Sequence, residues 1–174
     1  FGCLVGSEMC IRDRVRAAEF EALVGQAGRP WTISVVKASV LFVHFGIGGV
    51  LDLLDLDCVN MHKVLLTVQQ HVHDMQGCTH RFTVDDKGCV MKVVFGANIP
   101  HEDQPYRAVL AALHIRDALS SHGIQAALGV ASGECLIGPV GAAWRQEMTT
   151  HGTRVILAAR LMEAAASFGG MVLC

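Results

Sequence analysis

The sequence has no excess of basic charge: 14 Lys and Arg stand against 16 Asp and Glu, a formal net charge of −2. Nucleic acid or an anionic membrane would call for a basic stripe, so neither partner is implied. There is no C-x-x-C pair among the seven cysteines. An odd count without paired spacing argues against a disulfide framework and a thiolate metal site, and fits reduced thiols in the cytoplasm. Nine histidines do not alter this, because His71 and His73 are two apart in a helical stretch and cannot face one ligand together. No apolar run is long enough to cross a membrane. The most apolar stretch, ASVLFVHFGIGGVL from Ala38 to Leu51, is broken by His44 and three glycines, whereas a spanning helix needs roughly 20 apolar residues. Internal repeats and low-complexity tracts are absent. What is present, 52% hydrophobic and 17% charged residues, suits one globular domain with a real core.

Local patterns order the chain. VGSEMCIRDR, Val5 to Arg14, is similar to translated sequencing-adapter DNA. Residues 1–14 are therefore expected to be non-native, 15–31 a lead-in with a short helix near Ala17 to Leu23, and 32–174 one domain. The absence of an initial Met and the stop at Cys174 within MVLC lead to the expectation of a fragment, truncated at its C-terminus. Lys37 to Phe45 is β-branched and aromatic, a buried strand. Val59, Met61, Val64, Leu65, Val68 and Val72 recur at helical spacing, giving a helix over Leu56 to Met75 with Gly77 as its stop. HRFTV and CVMKVVF flank Asp85, Asp86, Lys87 and Gly88, a hairpin turn. A helix is predicted over Tyr106 to Ser121. IQAALGVASG and ECLIGPVG read as two strands, Gln146 to Thr149 as a short strand, Thr153 to Ala166 as a helix, and MVLC as the last strand. The order of strands and helices, with helices covering one face, predicts an α+β, ferredoxin-like sandwich.

Two short motifs carry little. GIGG at Gly46 to Gly49 follows a strand, but dinucleotide binding needs a glycine where Leu51 stands. KGCVMKVVF, Lys87 to Phe95, has the look of an RNA-contacting strand, yet Cys89 and Met91 occupy the places of the stacking aromatics.

A larger constellation carries more. DKGCVMKVVFG at 86–96, GVASGECLIGPVG at 129–141 and TTHGTRVILAAR at 149–160 follow one another in this order. Together they resemble the class III nucleotidyl cyclases, over about Ala38 to Cys174. Within that family the likeness is greatest to the second cyclase domain of the soluble, bicarbonate-responsive adenylyl cyclases, whose hairpin and later segment also read D-K-G-C, V-F-G and G-V-A-S-G.

The resemblance implies a class III cyclase homology domain that pairs head to tail with a second one, the nucleotide lying between them. One domain of such a pair holds two metal ions on two aspartates. His44 and Cys89 stand at those places here, and neither is a hard oxygen ligand of the kind magnesium prefers. Asp85 and Asp86 fall in the hairpin turn, out of register. The chain is thus expected to bind no metal itself, with Mg²⁺ or Mn²⁺ only on a metal-bearing partner domain. It would be the metal-free half of an adenylyl cyclase pair, forming cyclic AMP and pyrophosphate from ATP. Arg160 takes the place of the phosphate-contacting arginine and Thr149 that of a threonine near the adenine. Arg81 takes that of a base-reading lysine, and Thr153 that of an aspartate before the last helix. Ile156 replaces the ribose-positioning asparagine. The alternative is an inactive pseudo-cyclase, a dimerisation or regulatory module. Read without the family, Arg160 is an exposed helix arginine, Ile156 a core residue, and Glu134 and Glu147 are surface charges.

Overall fold

A computed structural model describes residues 33–46, 58–85, 88–97, 99–142 and 145–174. The segments 1–14 and 15–31, the lead-in helix, most of the GIGG turn, and Asp86 and Lys87 lie outside the described residues, as does the Glu147 side chain. Among the described residues six strands and three helices follow in order: β1 Ser34–His44, α1 Cys58–Asp74, β2 Gly77–Asp85, β3 Gly88–Phe95, α2 Gln104–Ser121, β4 Ala127–Ala142, β5 Arg145–His151, α3 Thr153–Ser167 and β6 Val172–Leu173. The sheet runs β2-β3-β1-β4-β5, and β6 pairs with β4 beside β5. All neighbours are antiparallel except β4 and β6. The core order β2-β3-β1-β4, with α1 and α2 as crossovers, is the α+β, ferredoxin-like arrangement expected.

Strand alternation sorts the core onto two faces. Leu41 and Val43 of β1 and Phe45 just after it join Cys89, Met91, Val93 and Phe95 of β3, and on them pack Val64, Val68 and Val72 of α1. Ala108, Ala111, Ala112, Ile115 and Leu119 of α2 complete this face. The small alanines let α2 lie close to the sheet. On the opposite face Ala38, Val40, Val94, Ala131, Cys135 and Ile137 meet Ala158 of α3. Helices therefore cover both faces, not one: α1 and α2 form the sandwich layer, and α3 is added behind the sheet. A Cβ on Gly129 would stand 2.2 Å from the Ala158 carbonyl oxygen and 2.3 Å from the Met162 nitrogen. Only a glycine allows α3 this near.

Two boundaries differ from expectation. The predicted strands around Ser132 and Gly133 are one 16-residue strand, β4, because pairing with β1 continues unbroken from Ala127 to Ile137. Gly77 does not stop α1. Gln76 takes the left-handed turn with φ of 60°, and Gly77 begins β2 against the Phe95 ring. There, Gln76 accepts a hydrogen bond from Arg107, whose guanidinium also meets Asp103.

Candidate functional site

α3 presents two unlike faces. Ala158, Met162 and Ala165 are buried against the sheet. Thr153, Ile156, Leu157 and Arg160, spaced by three and four residues, line the exposed side. Ile156 is 57% exposed and Leu157 39%, so Ile156 is no core residue; it stands one turn before Arg160 on the same open face. Among the described residues Arg160 has no ion pair, and its guanidinium is available to an outside anion. Glu134 is exposed, as expected of a surface charge.

Thr149 lies on β5, and its hydroxyl is 2.9 Å from His151 Nε2 on the same side of the strand. Arg81 lies exposed on β2, opposite Lys92 of β3. In sheet order β2 and β5 are the two edges, four strand spacings or about 19 Å apart if the sheet were flat. Yet His80 Nδ1 is 3.1 Å from Thr150 Oγ1, and both residues are buried. A hydrogen-bonded His–Thr pair spans about half that distance, so β2 and β5 approach each other at this one contact. This contact joins the neighbours of Arg81 and Thr149. A register shift between Thr79 and Arg81 accompanies it. A bulge of that kind takes a residue out of strict alternation.

Burial, and then the positive charge of Lys92, push the His80 pKa down to about 4. Its ring is neutral near pH 7, and its buried Nε2 has no partner among the described residues. Cys135 also has its thiol pKa raised by burial, against an opposing pull from Arg154.

The expected residues do not share one pocket. Thr153 lines a cavity of about 760 Å³ with Lys37, Ser39, Ser132, His101 and Arg154. His44 lines another, of about 400 Å³, with Phe42, Thr83, Val90, Met162 and Glu163. Arg160 borders neither. His44 and Cys89 do not converge. The His44 side chain lies on the α3 face, its Nδ1 accepting the Gly46 N–H at 3.0 Å. Cys89 is fully buried on the α1–α2 face. A nitrogen and a sulfur donor on opposite faces do not fit a magnesium ion. No group of three or more metal-binding side chains occurs among the described residues.

Reading the sequence missed His80, Thr150 and His151. The pair TTH offered a signal, since alternation must turn one threonine inward. Nothing local marked the bulge that brings His80 to it.

No family profile and no curated protein matches the sequence. Solved structures do. A bacterial light-regulated adenylyl cyclase superimposes with a TM-score of 0.72 at 16% identity, covering 92% of this chain and 50% of its own. The adenylyl cyclase CyaB from P. aeruginosa gives 0.62 at 21% identity, covering 76% and 74%. A dimeric guanylyl cyclase domain from the fungus Blastocladiella emersonii gives 0.61 at 16% identity, covering 78% and 76%. The chain has the fold of nucleotidyl cyclase catalytic domains, and it spans about half the length of the light-regulated enzyme. No helix among the described residues is long and apolar enough to cross a membrane.

Proposed function

We propose that this chain is the metal-free half of a soluble-type adenylyl cyclase pair. It contributes the phosphate and base contacts, and a second cyclase domain contributes the metal ions. The observation that carries the reading is the open face of α3. Arg160 stands there unpaired in a chain with the cyclase fold, at the place the motif gives to the phosphate-contacting arginine. An unpaired guanidinium aimed at a developing negative charge stabilises a phosphoryl-transfer transition state. Arg81 and Thr149 serve the base, on strands joined by the His80–Thr150 contact, and Thr153 is assigned to it by the motif alone. Mg²⁺ or Mn²⁺ sits on the partner, since His44 and Cys89 offer no hard, convergent ligand set. The free thiols of Cys135 and Cys174 suit a reducing cytoplasm.

The test is to mix the chain with a metal-bearing cyclase domain, Mg²⁺ and ATP. Cyclic AMP is expected from the mixture and none from this chain alone. Cyclic AMP from the chain alone would contradict the metal-free assignment.

One observation favours a second reading, a pseudo-cyclase that only pairs or regulates. Ile156 and Leu157 form an exposed apolar pair beside Arg160. An isoleucine cannot hydrogen-bond a ribose, whereas such a pair packs well against another protein surface. A chain that binds the partner domain yet adds nothing to its rate would establish this reading.

A further inference from the structure

We propose that His80 is a positioning residue, clasping β2 to β5 through Thr150 and so fixing the spacing of Arg81 and Thr149. The inference rests on the nucleotide-site reading above. Each of those two residues is the chain neighbour of a clasp member. The clasp is the side-chain hydrogen bond that ties the two edge strands together, 3.1 Å long, between residues 70 positions apart.

Its energetics point to position and not to stability. The bond satisfies His80 Nδ1, but the buried Nε2 has no partner among the described residues. Whichever tautomer is present, one ring nitrogen goes unsatisfied. A buried unpaired polar atom costs at least what one neutral hydrogen bond returns. An apolar pair of similar shape would hold the fold equally well or better. What an apolar pair does not supply is direction. A hydrogen bond fixes the distance and direction between the two side chains it joins to within a few tenths of an ångström, and apolar contact does not. The bulge between Thr79 and Arg81 adds to this, because the chain that delivers His80 to Thr150 also sets where Arg81 emerges.

The alternative is a histidine that merely fills the core. The two accounts separate in kinetics. A core-filling role predicts that its loss lowers the amount of folded, active protein, reducing kcat with KM unchanged. Loss of base positioning weakens binding alike in ground and transition states, raising KM with kcat held.

The experiment uses the full chain with a metal-bearing cyclase domain, ATP and Mg²⁺. Three variants are compared with the original: His80→Leu, His80→Asn and Thr150→Val. Asparagine keeps a hydrogen-bonding atom near the Nδ1 position. His80→Leu and Thr150→Val are expected to raise KM for ATP about tenfold, with kcat and melting temperature nearly unchanged. His80→Asn is expected to stay within about threefold of the original. A normal KM in both His80→Leu and Thr150→Val, in a pair that loses activity on Arg160→Ala, would overturn the clasp role alone. An original pair that makes no cyclic AMP overturns the nucleotide-site reading, and the clasp role with it. Thr150→Val removes the same bond from the other strand, which covers any failure of His80→Leu to fold.

Discussion

Gly129→Ala should lift α3 off the sheet. The new methyl would lie 2.2 Å from the Ala158 oxygen, 2.3 Å from the Met162 nitrogen and 3.0 Å from the Leu161 carbonyl carbon. These are backbone atoms, so no side chain can rotate away. Ordinary contact requires about 1 Å more room, and α3 must supply it. Overpacking of this kind costs about 1–3 kcal/mol. In a chain of 174 residues that is a fall in melting temperature of about 3–9 °C. The helix that moves also carries Ile156 and Arg160. A 1 Å displacement of a charge-stabilising group can cost about a hundredfold in rate. Calorimetry or a circular-dichroism melt gives the first quantity, and cyclic AMP formation with a metal-bearing partner gives the second. A Gly129→Ala chain with unchanged melting temperature and unchanged rate would refute the packing of α3 described above.

Three further outcomes are expected. His80 has its pKa lowered in the fold, from 6.5 to about 4, so folding favours the neutral ring. Its contribution is present above pH 6.5 and is lost as pH falls toward 4, about 3 kcal/mol in all; denaturant unfolding of the original and of His80→Leu across this range should differ by that step, and parallel curves would contradict it. Ile156→Asn should raise the rate of the pair about tenfold or more if ribose positioning is what the isoleucine lacks, and an unchanged rate would favour the pairing-only reading. Leu119→Ala empties a fully buried site of the α2 face and should cost about 2–5 kcal/mol by chemical denaturation, whereas a cost below about 1 kcal/mol would argue against that core.

Much of the fold was legible because it rests on period. Val64, Val68 and Val72 mark the buried stripe of α1 at helical spacing. The apolar run of β1 marks a strand covered on both faces. The Asp85 and Gly88 pair closes the β2–β3 hairpin, and that much follows from turn chemistry. What was not legible depends on distant partners. The Ser132 and Gly133 break in β4 is bridged by pairing with Ala38 and Ser39, which no local rule reveals. The placement of α3 behind the sheet depends on the open surface at Gly129, far off in the chain. The candidate site divides the same way. Motif order marked Arg160, Thr149 and Arg81. That Ile156 is exposed, and that His80 of β2 reaches Thr150 of β5, follow only from tertiary geometry. A bulge shifts alternation by one residue, and strand patterns alone cannot locate it.

The central claim is that Arg160 acts on the nucleotide from the open face of α3. The most direct test is the rate of cyclic AMP formation by this chain paired with a metal-bearing cyclase domain, with and without Arg160→Ala. Removing a group that stabilises transition-state charge is expected to lower the rate about 10²- to 10³-fold, with pairing and melting temperature unchanged. A paired Arg160→Ala chain as fast as the original would contradict the claim.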